Sequence, residues 1–206
     1  MPFPGRVAIA SRNTHKLREL ERICADWPIS WVTVETHDPE AFPDVAETGE
    51  TYVDNALLKA TTVAAALDLP ALADDSGIEV DALGGKPGPR SARFAGDGAS
   101  DERNLDALVG AVRGIPGAGR TARYRCVAAI AWPNGESLYA EGVCEGALIT
   151  RRRGTGGFGY DPIFLPAGWD QTMAELTPEQ KDRISHRGRA FRALRELLSA
   201  ARASPG

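Results

Sequence analysis

The chain has 206 residues, 43% of them hydrophobic and 25% charged, with a formal net charge of −4. That length suits one domain, or one domain of two lobes, with a real core, and the acidic balance leaves no basic footprint for nucleic acid. No apolar run is long enough to span a membrane, and the opening MPFPGRVAIASRN lacks the apolar stretch of a signal peptide, so the expected location is the cytoplasm.

Arg6 to Ala10 (RVAIA) reads as a short buried strand. A polar stretch, Ser11 to Lys16, follows, and Leu17, Leu20, Ile23 and Cys24 then recur at helical spacing. Residues 38–50 carry two prolines and several acids and read as loop. Thr51 to Leu67 reads as a helix opened by a capping-box-like pair, Thr51 and Asp54. A brief apolar run, Ala71 to Ala73, leads into Asp74-Asp75-Ser76-Gly77, which reads as a tight turn. Ile78, Val80 and Ala82 then alternate with polar residues as a strand, and Gly84 to Pro89 is a Gly/Pro loop.

Ser100 is placed to cap a helix running to about Arg113. Ala122, Tyr124, Cys126, Ala128, Ile130 and Trp132 alternate over a long strand, Asn134-Gly135 signals a hairpin, and Leu138 to Ile149 returns. Thr177-Pro178-Glu179-Gln180 is a well-formed helix start, and Ser185 is placed to cap a second helix with Phe191, Leu194, Leu197 and Leu198 on one apolar face. Strands mixed with helices, with a hairpin among them, predict an α/β fold with a mixed sheet. Cys24, Cys126 and Cys144 are odd in number and widely spaced, which argues against a disulfide framework or thiolate metal site and fits a reducing compartment. Cys24 and Cys126 are expected as core fillers.

The polar clusters fall in turns, where sites tend to lie. Ser11 to Lys16, between a strand and a helix, suits an anion such as phosphate. Taken alone, the plainer reading, a polar turn capped by Asn13 or Thr14, outweighs it. In Asp74-Asp75, one carboxylate is suited to bind Mg²⁺ while the other braces the turn; a turn with no site fits equally well. In Glu47-Thr48-Gly49-Glu50, just ahead of a helix, a carboxylate is either a second metal ligand or a solvated acid. Gly154 to Asp161 fits G-x-G-x-x-G, but Tyr160-Asp161-Pro162 opens no apolar helix, so a dinucleotide fingerprint is rejected. Glycines beside Phe158 and Tyr160 suggest backbone packed under a flat ring. Lys181, His186 and Arg187 lie near two helix starts, where cations oppose the helix dipole unless an anion or a polar base edge meets them.

Together these clusters resemble the inosine triphosphate pyrophosphatase family, enzymes that clear non-standard purine nucleoside triphosphates. The resemblance runs in order from about Ala8 to Ala190. It passes through SRNTHK from Ser11, AETGETYVDNALLKA from Ala46, LADDSG ending at Gly77, LGGKPGPRSARFAG from Leu83, GTGGFGYDPIF from Gly154 and AELTPEQKDRISHRGRA ending at Ala190. It implies a single two-lobed α/β catalytic domain over residues 1–206, with a mixed sheet and a central substrate cleft, usually as a homodimer. It also implies Mg²⁺-dependent hydrolysis of inosine and xanthosine triphosphates, ribo and deoxy, to monophosphate and pyrophosphate, keeping them out of DNA and RNA. The partner implied is a small molecule, with no nucleic acid and no membrane.

Residue by residue, the resemblance makes Glu47 and Asp75 the metal-binding acids and Asp75 the proton acceptor. Ser11, Asn13 and Lys16 match its phosphate-side loop; Thr14 is counted with them, and Arg12 and His15 occupy positions that vary in such loops. Ser76 matches a substrate contact, Phe158, Gly159, Tyr160 and Asp161 the segment that holds base and sugar, and Lys181, His186 and Arg187 the base-recognition contacts. Donors at these last positions would favour a purine with a carbonyl at position six over adenine. The alternative is the same reaction with another base preference.

Overall fold

The structure, a computed structural model, describes residues 5–203. Six strands form one sheet: β1 (Arg6–Ile9), β2 (Ser30–Val32), β3 (Ala71–Val80), β4 (Thr121–Ala131), β5 (Ser137–Leu148) and β6 (Phe164–Pro166), in the order β2-β1-β3-β4-β5-β6. β1 runs parallel to both β2 and β3, whereas β6 is antiparallel to β5, so the α/β fold has the mixed sheet expected. The helices are α1 (Thr14–Ile23), α2 (Tyr52–Leu67), α3 (Asp101–Val112), α4 (Pro178–Ile184) and α5 (His186–Ala203). None of the described helices is long and apolar enough to cross a membrane. The chain divides into two compact units. The first takes the described residues up to Asp75, then residues 126–142 and Arg187 onward; the second takes residues 76–125 and 143–186.

In the first unit the sheet is buried on both faces, and strand alternation sorts its residues by size. Val7, Ile9, Leu72, Cys126, Ala128 and Ile130 share a cluster with Leu17 and Leu20 of α1 and with Phe191, Leu194 and Leu198 of α5. The intervening residues Ala8, Ala71, Ala73, Val127, Ala129 and Ala131 pack with Ala56, Ala60, Val63 and Ala64 of α2. Small residues on both sides let α2 lie close to the sheet. Thr51 caps α2 in a complete capping box with Asp54, as its sequence predicts. In the second unit, Ile78, Val80, Ala122, Tyr124, Cys144, Leu148 and Phe164 form a core with Leu105, Leu108, Val109 and Val112 of α3. Arg123 and Arg125, the alternate residues of β4, reach Glu79, Asp81 and Glu145 instead.

Three expectations change. Asp74-Asp75-Ser76-Gly77 is not a turn: β3 runs unbroken from Ala71 to Val80 through it. Acids are poor strand formers, but cations from elsewhere in the chain neutralise these two. The strand also ends at Val80, and Ala82 lies in a 3₁₀ turn, Asp81–Leu83, closed by Gly84 at φ +64°. Leu197 is exposed, because it sits about a quarter of a turn from the centre of the stripe made by Phe191, Leu194 and Leu198. Cys24, Cys126 and Cys144 are buried and no disulfide joins them.

Candidate active site

β1 hands the chain to α1 through Ser11, Arg12 and Asn13. Asn13 caps α1: its Oδ1 accepts from the N–H groups of His15 (3.0 Å) and Lys16 (3.1 Å), and its own N–H donates to Ser11 Oγ (3.2 Å). Thr14 and His15 open the helix on its exposed side. The Arg12 guanidinium donates to the carbonyls of Phe42 (2.5 Å) and Pro39 (3.2 Å), which ties the loop ahead of α2 to this turn. Lys16, in the first turn, places Nζ 3.2 Å from Asp74 Oδ2.

β3 brings the two adjacent acids to this region on opposite faces. Asp74 faces α1 and α5: its Oδ2 accepts from Arg187 Nη2 (3.0 Å) and Nε (3.3 Å). Arg187 is 2% exposed and donates from Nη1 to Glu19 Oε2 (2.5 Å), so a buried chain runs Lys16–Asp74–Arg187–Glu19. Asp75 faces α2, where its Oδ2 accepts from Asn55 Nδ2 (3.1 Å) and its Oδ1 lies 3.5 Å from Lys59 Nζ. Lys59 also donates to Glu47 Oε1 (2.7 Å) and to the Asp74 carbonyl (2.5 Å). Glu47 and Asp75, 28 positions apart in sequence, thus converge on one ammonium. Gly49 makes the approach possible. Its N–H donates to Asn55 Oδ1 (2.8 Å), and a Cβ there would fall 2.6 Å from the Asp54 Cβ and 2.7 Å from that oxygen.

Burial works against the Asp74 carboxylate, yet Lys16, Arg187 and Lys59 together hold its pKa far below the usual carboxylate range. At Glu47, burial is outweighed by the charge and hydrogen bond of Lys59, and the pKa is lowered. At Asp75 burial wins: Lys59 opposes it, Glu47 assists it, and the pKa is raised. The two adjacent acids are therefore different groups: the cations around Asp74 favour its anion, whereas burial disfavours the anion of Asp75. Among the described residues no cluster of three or more His, Cys, Asp or Glu forms a ready-made metal cage. Two convergent carboxylates do fit a hard cation that completes its shell with water and phosphate oxygens.

In the second unit the glycine-rich segment is held by close backbone approach. Gly154 has φ +79°, and a Cβ there would lie 2.5 Å from the Ala174 carbonyl. Gly157 has φ +69°, and a Cβ would fall 2.0 Å from Asp161 Oδ2. That space belongs to the Asp161 carboxylate, whose Oδ2 accepts from the Phe158 N–H (2.9 Å) and from Lys181 Nζ (2.5 Å). Its Oδ1 accepts from the Tyr124 hydroxyl (3.3 Å). Lys181 Nζ sits 5.0 Å from the Phe158 ring centroid, a cation–π distance. Tyr160 is buried and donates its hydroxyl to the Ser91 carbonyl (2.7 Å), whereas Phe158 is half-buried. The Gly159 N–H donates to Asp101 (3.1 Å). His186 stacks on Tyr124 with centroids 4.5 Å apart and planes 7° from parallel.

Lys181 does not oppose a helix dipole as expected. It lies in the last turn of the seven-residue α4, where a cation is favourable, and it is buried against Asp161. The grouping of Lys181, His186 and Arg187 also divides: the first two belong to the second unit, and Arg187 joins Asp74 and Glu19 in the first. Ser76 follows Asp75 in β3 and is half-buried. Glu19, Asn55, Lys59 and Tyr124 escape the sequence reading. Each sits on a regular helix or strand, and only Lys59, a lysine on the apolar stripe of α2, leaves a trace in the pattern.

The Ham1 family model matches residues 7–197. A dITP/XTP pyrophosphatase of Streptomyces coelicolor is 49% identical over 197 residues, covering 94% of this chain and 98% of that protein. The Ham1 protein of Staphylococcus aureus superposes with a TM-score of 0.82 at 38% identity, covering 95% of this chain and 99% of that one. A HAM1 protein from Coxiella burnetii gives 0.83 at 38% identity, covering 95% and 98%. With a fold, a nearly full-length match and this identity in agreement, the chain belongs to the Ham1 family.

Proposed function

We propose that this protein is a nucleoside-triphosphate pyrophosphatase that hydrolyses non-standard purine nucleotides, dITP and XTP among them, to the monophosphate and pyrophosphate. The convergence of Glu47 and Asp75 on Lys59, beside the Lys16–Asp74 pair, carries the reading. It gathers hard-cation ligands, a proton-exchanging acid and phosphate-binding charge in one unit. The relatives named dITP/XTP pyrophosphatase support the substrate class.

Glu47 and Asp75 are the residues proposed to hold Mg²⁺, which when bound would neutralise charge on the phosphate oxygens. Lys16 adds a point charge for the same oxygens, held in place by Asp74. Asp75 orients the attacking water and takes its proton in this reading; a cation on the same carboxylate lowers its pKa and makes it a modest base, so orientation counts for more than proton removal. Its bond from Asn55 fixes the carboxylate plane, and orientation of this kind supplies much of the rate. In the second unit Phe158 offers a face for the base, and Lys181 and His186 offer donors. A purine with a carbonyl at position six satisfies those donors, whereas the amino group of adenine leaves them without acceptors. The whole chain acts as one catalytic domain in this reading. Three buried cysteines joined by no disulfide support a reducing, cytoplasmic setting, and the family resemblance supports a homodimer.

The test is pyrophosphate release from inosine, xanthosine, guanosine and adenosine triphosphates, with Mg²⁺ and with chelator. Rapid Mg²⁺-dependent release from the first two alone is expected. Equal rates on all four would overturn the selectivity, and full activity in chelator would overturn the metal role.

A further inference from the structure

Tyr124 has no part in the chemistry set out above, yet it touches two of the groups assigned to base recognition. It lies on β4, where alternation turns Ala122 and Tyr124 inward and Arg123 outward, and it is buried. Its ring lies parallel to the His186 imidazole at 4.5 Å. On another side Phe164 meets it at 4.7 Å and 56°, which keeps the phenol ring from rotating away. Its hydroxyl donates to Asp161 Oδ1, and the other oxygen of that carboxylate receives Lys181 and the Phe158 N–H.

We propose that Tyr124 is a positioning residue for base recognition, its ring setting the plane of His186 and its hydroxyl setting the carboxylate that aims Lys181. The inference rests on the base-side reading of the second unit given above. The physical argument is directional. The N–H donors of an imidazole lie in the ring plane, so a parallel stack that fixes the plane fixes where those donors point. The hydrogen bonds of a purine edge also lie in one plane, so His186 serves only when its ring is held. A carboxylate bound through one oxygen alone can pivot, and the Lys181 ammonium and the Phe158 backbone would pivot with it. The Tyr124 bond to the second oxygen removes that freedom. A tyrosine that merely filled the core would need its ring and not a hydroxyl aimed at a buried acid.

Two substitutions divide the roles. Tyr124→Phe keeps the stack and removes the bond to Asp161; Tyr124→Leu removes both. Steady-state kinetics with inosine and guanosine triphosphates are read beside the His186 ring-proton resonances by NMR and a thermal melt. Tyr124→Phe is expected to raise KM for inosine triphosphate about threefold with kcat held within about twofold, the loss expected of one modest hydrogen bond. Tyr124→Leu is expected to raise KM by about tenfold or more and to shrink the preference over guanosine triphosphate. The His186 resonances should move downfield in the Leu variant as the ring current is lost, and stay in place in the Phe variant. Wild-type KM in both variants, or unmoved His186 resonances in the Leu variant, overturns the proposal. Should the Leu variant fail to fold, an unchanged KM in the Phe variant overturns the hydroxyl's role. If the wild type hydrolyses no purine triphosphate, the functional reading fails and the positioning role with it; an active wild type with indifferent variants sinks the positioning role alone.

Discussion

Asp74 and Asp75 are consecutive residues whose carboxylates leave β3 on opposite faces, one to Arg187 and Lys16 and the other to Asn55 and Lys59. The period of two along a strand makes this unavoidable, and it solves the problem that adjacent anions pose. Burial opposes both anions; the cations around Asp74 outweigh it and those around Asp75 do not.

Asp75→Asn keeps the size and the Asn55 contact but removes the base. The expected result is a fall in kcat of roughly 10²–10⁴-fold with an unchanged circular dichroism spectrum. Activity within tenfold of wild type would show that Asp75 takes no proton.

Lys59→Met removes the ammonium on which Glu47 and Asp75 converge, and breaking such a buried ion pair costs about 3–5 kcal/mol. A cation held by the same two acids would offset part of that loss. Adding MgCl₂ should therefore raise the melting temperature of this variant more than that of wild type. Equal shifts would separate Lys59 from the proposed metal site.

Arg187→Met leaves Glu19 and Asp74 buried without the guanidinium between them, an expected loss of about 3–5 kcal/mol in urea unfolding. The pH dependence follows from the lowered Asp74 pKa. Its contribution to stability is fully present above the ordinary carboxylate value and fades as pH falls through the folded one. Without Arg187 the folded value moves back up, so acid unfolding should begin at a higher pH than in wild type. Coincident acid transitions would count against the assignment.

Gly157→Ala combines a positive φ with a Cβ placed 2.0 Å from Asp161 Oδ2. The left-handed backbone alone costs roughly 1–2 kcal/mol, and the carboxylate must also move away from Lys181 and the Phe158 N–H. A raised KM for inosine triphosphate is expected, and a wild-type KM would show that the Asp161 position is not critical.

What was legible in the sequence was local. The capping boxes at Thr51 and Thr177, the Asn13 cap and the hairpin after Trp132 each depend on atoms within a few residues, and the structure has them all. The glycine string is followed by the short 3₁₀ turn Asp161–Ile163 and then a strand, so the lack of a long helix after it is also a local fact. The same locality misled at Asp74-Asp75-Ser76-Gly77, whose composition is that of a turn.

The sequence by itself determined the α/β class, the helix starts and the candidate acids, because periodicity and capping are written in neighbouring residues. Tertiary structure alone decided that β3 runs through two acids, that Lys59 joins Glu47 to Asp75, that Arg187 serves Asp74, and that Tyr124 lies under His186. A charge or a ring acts through space, and the cations that meet these carboxylates come from 12 to 168 positions away along the chain.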